Sequence, residues 1–250
     1  MKLFRKLHTW YGFVVFIIFF FVAFPFLLIP IFFPGQFRIV GIVNRWWARI
    51  LFTFVFIPFR VENRQKLDRK RTYVFCPNHF SYLDIPTMGL NKYNAIFVGK
   101  NDMENIPLFG FMYRKLHITV DRTKLKSRYS TLKRSLEAID QGKSLVIFPE
   151  GGIISEKEPV LASFKDGAFR IAIDKQIPVV PVTIPYNWII LPGDQLLLHW
   201  HSLKVIFHEP IETAGLTIDD VESLKGKVFQ TIEEELLRNL NHENRPRTAG

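Results

Sequence analysis

The stretch Cys76-Pro-Asn-His-Phe-Ser-Tyr-Leu-Asp84 sets a histidine five residues before an aspartate. Five residues turn a helix by about 500°, so His79 and Asp84 cannot share a helix face. They meet if His79 sits on a loop and Asp84 opens the helix that follows. A carboxylate on one imidazole nitrogen then leaves the other to take a proton from a substrate hydroxyl. The same residues also read as a helix-capping box, Ser81-x-x-Asp84, with His79 an ordinary loop residue. A second stretch, Phe148-Pro-Glu-Gly-Gly152, ends an apolar run. Its glycines allow backbone to approach a ligand and cradle an anion. Glu150 is there either a site carboxylate or a surface carboxylate in a turn. Because Ser81 and Cys76 flank His79, a hydrolase with either as covalent nucleophile is a rival reading, although neither lies in a G-x-S-x-G elbow. The seven histidines are scattered, and no metal site is expected.

The elements that must position these residues alternate. Short apolar runs rich in β-branched and aromatic residues recur at 72–76, 95–98, 118–120, 144–148, 179–184 and 203–207, each edged by Pro, Asn, Gly or charge. Between them lie helical patterns, such as Leu125, Tyr129, Leu132, Leu136 and Ile139 followed by Gly142. A last helix opens at a capping box, Thr217-Ile-Asp-Asp220, and ends in a polar tail. Alternating strands and helices predict an α/β fold, a mixed or largely parallel sheet flanked by helices. The expected organisation is a hydrophobic membrane segment over 1–60, an α/β domain over 61–215, and an amphipathic helix with polar tail over 216–250.

Charge and greasiness coincide. Of a net +10 over 250 residues, seven basic groups and no acid fall in residues 1–60, and the rest of the chain nets only +3. That points to an anionic membrane surface and away from nucleic acid. Residues 10–33 carry no charge and include nine phenylalanines. The run is too long for a signal-peptide core, and no small-residue cleavage site follows. Pro25, Pro30 and Pro34 are expected to interrupt it, leaving 10–24 as a piece about 22 Å long, too short to cross. A second greasy piece covers 50–59. Both flanks are basic, and Trp10, Tyr11, Trp46 and Trp47 suit headgroup depth. The expectation is two helices that dip into one leaflet and return. A single cysteine excludes a disulfide framework and fits a reducing compartment.

Asn78-His79-x4-Asp84 resembles the NHxxxxD motif of the PlsC-like glycerolipid acyltransferases. Further blocks follow in that family's order: Lys100 and the Ile106-Pro-Leu-Phe-Gly110 turn, Ile118-Thr-Val-Asp-Arg122, Phe148-Pro-Glu-Gly151, Phe164-Lys-Asp-Gly-Ala168 and Ile177-Pro-Val-Val-Pro-Val182. The likeness covers roughly residues 60–210, with two departures. The third block usually continues E-G-T-R but here reads Glu150-Gly151-Gly152-Ile153, and the second block's glycine is Leu116. Losing a bidentate arginine should alter which acceptor is held.

The resemblance implies acyl transfer from acyl-CoA or acyl-carrier protein to the hydroxyl of a lysolipid, with 1-acyl-sn-glycerol-3-phosphate as the leading acceptor and another lysolipid or a lyso-aminolipid as the alternative. No cofactor is implied. His79 would be the general base and Asp84 its partner. Asn78, which should brace the loop, joins Glu150 and Gly151 around the substrate, and Arg122, Lys100 or Lys165 would supply positive charge for the headgroup. The expected location is the cytoplasmic face of a bacterial inner membrane.

Overall fold

The computed structural model describes residues 2–121, 124–155 and 157–243. Two helices come first, α1 (Lys2–Phe32) and α2 (Arg38–Phe54). Strands and helices then follow as β1 (Phe59–Asn63), β2 (Val74–Pro77), α3 (Asp84–Met88), β3 (Ala95–Lys100), α4 (Phe109–Leu116), β4 (Ile118–Val120), α5 (Leu125–Asp140), β5 (Ser144–Ile147), α6 (Gly167–Asp174), β6 (Val179–Thr183), α7 (Asn187–Ile190), β7 (Leu203–Phe207) and α8 (Val221–Glu243). The strands form one sheet in the order β1-β7-β6-β2-β5-β3-β4. Its neighbours run parallel except β6 and β7, so the sheet is mixed and mostly parallel, as the alternation of elements predicts.

The central strands are apolar on both faces because helices cover both. Phe75, Val146, Val180 and Val182 pack with Ala48, Leu51 and Phe52 of α2 on one side. Val74, Leu145 and Val179 pack with Phe169 and Ala172 of α6 and with Leu224, Val228 and Ile232 of α8 on the other. Residues 216–243 thus share a core with the sheet. The capping box at Thr217 and Asp220 is formed and leads through a short 3-10 turn into α8, while residues 244–250 of the expected tail lie outside the described ones.

The first sixty residues differ from expectation in three ways. Helix α1 runs unbroken through Pro25 and Pro30, and the chain breaks only before Pro34, which opens a 3-10 turn. A proline removes one backbone donor, and here the neighbouring turns hold the helix across each gap. At 31 residues α1 is about 46 Å long, so the length argument against crossing fails. Second, α2 is not the piece at 50–59. It begins at Arg38, buries Val40, Ala48, Leu51 and Phe52 on one face, and ends where Phe56 takes a left-handed φ of 58°. Third, the expected boundary at residue 60 falls inside β1, an edge strand whose alternation, Phe-Arg-Val-Glu, is too short to stand out.

Helix α1 lies along the domain. Near its start, Thr9 Oγ1 accepts the Leu198 amide at 2.9 Å and Arg5 pairs with His199. Farther on, the Tyr11 hydroxyl donates to Phe54 O at 2.9 Å and Phe16 meets the Trp47 ring edge-on at 5.2 Å. Toward its end, Phe20 packs on Phe109, and Leu27 joins Val40, Met112 and Leu116.

Candidate active site

The parallel order β6-β2-β5 brings three loops to one edge of the sheet: 78–83 after β2, 148–152 after β5 and 184–186 after β6. Ligands of open α/β sheets bind at this C-terminal edge. His79 stands at its centre. Its ring lies nearly flat on Phe148, centroids 4.0 Å apart at 22°. Its Nδ1 is 3.1 Å from Asp84 Oδ2, and its side chain keeps 12 % exposure beside a fully buried Asp84. Asp84 Oδ2 also accepts the Phe80 and Ser81 amides at 2.8 and 2.9 Å, and Oδ1 accepts Asn187 Nδ2 at 2.9 Å.

Every one of those partners donates. Asp84 therefore accepts from Nδ1 as well, which puts the ring proton on Nδ1 and leaves the lone pair on Nε2. The capping box expected at Ser81 and Asp84 is not formed: α3 is capped at Leu83 without a side-chain bond, and the Ser81 hydroxyl turns to Leu191 O, while Asp84 Oδ2 accepts the Ser81 amide and orients His79.

Glu150 supports the same histidine from behind. It is fully buried, its Oε1 accepting the His79 amide at 2.6 Å and its Oε2 the Ala162 amide at 3.0 Å. Burial is the main force that pushes its carboxyl up to about 7; the two amide bonds pull against it, and the nearby Asp84 charge adds to the rise. Asn78 is also fully buried, and its side-chain amide pairs with the Ile184 backbone in both directions, at 3.0 and 2.7 Å. These two side chains, expected around the substrate, are committed to backbone and brace the loops. Gly151 turns the chain after Glu150 at φ +87°, a conformation costly to any residue with a Cβ.

Of the cations suggested for a headgroup, Lys100 ends β3 beside β5, and Lys165 is exposed with its amide donating to Pro149 O at 2.8 Å. Both stand on this edge of the sheet. Arg122 lies outside the described residues.

The nucleophile alternative does not survive the geometry. Ser81 is fully buried, its hydroxyl donating to Leu191 O at 2.7 Å and accepting the Leu83 amide. Cys76 is also fully buried, and burial drives its thiol far above the ordinary range, away from the nucleophilic thiolate. Cys76→Ala should leave kcat unchanged, and native protein should resist thiol reagents; rapid inactivation by such a reagent, with protection by substrate, would contradict this.

Sequence reasoning missed two roles. Phe148 was visible only as part of a motif, yet its ring is the platform under His79. Asn187 reaches Asp84 from 103 positions away, a pairing with no local sequence signal.

The family model described as Acyltransferase matches residues 58–185. A chloroplast 1-acyl-sn-glycerol-3-phosphate acyltransferase of Arabidopsis thaliana is 31 % identical over 76 % of this chain and 53 % of its own length. The chain spans about half the length of that relative and of its Brassica napus counterpart. A 1-acyl-sn-glycerol-3-phosphate acyltransferase of Haemophilus influenzae is 29 % identical over 79 % of this chain and 81 % of its own. The crystal structure of the acyltransferase PlsC from Thermotoga maritima superposes with a TM-score of 0.81 over 99 % of both chains at 21 % identity, a likeness of fold.

Proposed function

Because this chain belongs to the acyltransferase family, we propose that it transfers a fatty acyl group from a thioester, acyl-CoA or acyl-carrier protein, to the hydroxyl of a lysolipid, with 1-acyl-sn-glycerol-3-phosphate as the principal acceptor in phospholipid synthesis. The observation that carries this is the His79–Asp84 pair at the sheet edge, 3.1 Å apart, the imidazole part-open and its partner sealed.

Nε2 removes the proton from the acceptor hydroxyl as its oxygen attacks the thioester carbonyl. Asp84 accepts from Nδ1–H throughout and stabilises the imidazolium. The tetrahedral intermediate then collapses, the carbon–sulfur bond breaks, and the imidazolium proton passes to the departing thiolate. Phe148 fixes the ring plane. Lys100 and Lys165 supply charge for the acceptor phosphate in place of the arginine missing after Gly152, with Arg122 as the third cation of the set.

The apolar leader supports a membrane site. The best 18-residue stretch of α1 has a mean hydropathy of 3.0, and less than a third of it is buried. Phe13, Val14, Ile18 and Phe21 face outward. Contacts at its start, middle and end tie α1 to one side of the domain, which favours a helix lying within one leaflet over one that projects across it. With basic flanks and no acid in the first sixty residues, the cytoplasmic face of a bacterial inner membrane fits best.

The test is acylation of a lysolipid panel by membranes containing the protein, with long-chain acyl-CoA or acyl-carrier protein as donor and products read by mass spectrometry. Acylation of 1-acyl-sn-glycerol-3-phosphate above the other acceptors is expected. Preference for an uncharged or zwitterionic acceptor would overturn the headgroup assignment, and release of free fatty acid alone would overturn transfer.

A further inference from the structure

Asp84 is held unevenly. Three donors converge on Oδ2, whereas among the described residues the one donor to Oδ1 is the side chain of Asn187, which opens α7 beyond β6. Asn187 is itself fully buried and commits its second amide proton to Thr87 Oγ1 at 2.8 Å. The Thr87 hydroxyl donates to Leu83 O at 2.7 Å, so it must accept from Asn187. These partners fix the amide with its nitrogen toward Asp84. Its oxygen is left buried with no partner among the described residues.

A buried acceptor without a partner is costly, and such groups call for a reason. We propose that the reason is the carboxylate: Asn187 is a positioning residue that sets the rotation of Asp84, and through it the angle of the His79 ring. Without the Asn187 donor, Oδ1 sits dry and unpaired. The carboxylate then turns to share its two oxygens among the remaining three donors, and Nδ1 of His79 loses its aligned acceptor. The inference rests on His79 being the general base.

The segment around Asn187 also explains why the hold is rigid. Its carbonyl accepts the Leu191 amide, Leu191 O accepts the Ser81 hydroxyl, and a few residues later Leu198 and His199 are fastened to α1. Asn187 is therefore anchored on both sides of the carboxylate it orients.

The experiment compares kcat and KM for purified wild type, N187A, N187D, T87V and H79A, each corrected for folded fraction by circular dichroism. N187A should lower kcat about 10- to 100-fold, as for other partners that orient a functional imidazole, with KM for both substrates nearly unchanged. T87V, which frees one amide proton but keeps the bond to Asp84, should lose less. N187D is the discriminating variant. It preserves shape but sets a second carboxylate against Asp84, so it should be worse than N187A, whereas a packing role predicts that the isostere is better. The proposal fails if folded N187A matches wild type, if N187D exceeds N187A, or if KM rises while kcat holds. Should N187A and N187D not fold, T87V with wild-type kcat would equally overturn it. Full activity in H79A would sink the general-base reading instead, which keeps the two failures apart.

Discussion

His79→Ala is expected to lower kcat for acyl transfer by about 10²–10⁴, the usual worth of a positioned proton acceptor, while leaving the protein folded. The second half of that expectation follows from where the local bonds originate. The amide of residue 79, not its ring, donates to Glu150, so the link between the β2 and β5 loops outlives the side chain. Asp84 keeps the Phe80 and Ser81 amides on Oδ2 and Asn187 on Oδ1. The ring covers Phe148 but retains 12 % exposure, so its removal opens a surface hollow and no sealed cavity. His79→Asn sharpens the test. Its side-chain NH2 still has a proton for Asp84, but a carboxamide has no basic lone pair to take one from the acceptor hydroxyl, so it should be as inactive as the alanine variant. Measured kcat at matched folded fraction decides the matter. An asparagine variant with substantial activity would mean that the residue organises the loop and something else takes the proton.

The sheet was readable because its strands are buried on both faces. Runs such as 144–148 and 179–184 are almost wholly apolar, Ser144 and Thr183 apart, as strands covered on both faces are. What sequence hid follows from the same physics. Strand β1 is a short strand at the sheet edge, and the four alternating residues Phe-Arg-Val-Glu are too few to carry much signal. The start of α2 is hidden because its buried face is spread between arginines, an amphipathic stripe and not an unbroken greasy run. Prolines 25 and 30 misled in the opposite direction. Helix α1 is tied to α2 and α4 along its length, and that packing outweighs two missing donors.

The candidate site was legible where it is local and illegible where it is not. His79 and Asp84 sit five positions apart, so spacing alone raised the question that their contact answers. Glu150 was visible as a residue, but its attachment to the His79 amide depends on β2 and β5 being neighbours in the sheet. Asn78 appeared beside the histidine, yet its partner Ile184 is reached only through the pairing of β2 with β6. A side chain's neighbours in sequence suggested its chemistry. Its neighbours in the sheet decided whether it faces substrate or holds backbone.

Glu150 leads to the second large effect, a stability difference that changes with pH. Its carboxyl is pushed from an ordinary 4.5 to about 7, chiefly by burial. The folded state therefore binds a proton more tightly than the unfolded chain, and this group's contribution to stability is greatest below about 4.5 and is lost as pH rises toward 7. A tenfold difference in proton affinity between the two states is worth about 1.4 kcal/mol, so the change over that window is about 3 kcal/mol. His117 and His208 work in the opposite sense. Burial holds both near 4, so their contribution is full above 6.5 and falls away as pH drops toward 4. Unfolding of the wild type alone would mix these trends. The difference between wild type and Glu150→Gln isolates the carboxyl, because glutamine does not titrate. In that variant one amide, His79 or Ala162, must face the side-chain NH2 and lose its acceptor, so glutamine should be destabilising at pH 5. By pH 8 the wild type bears the penalty of a buried charge, and the gap should narrow by about 3 kcal/mol or close. Denaturant unfolding of both proteins at pH 5, 6, 7 and 8 measures it. A gap that stays constant would show that the carboxyl is solvated, and a gap that widens with pH would show that the two amide bonds outweigh burial.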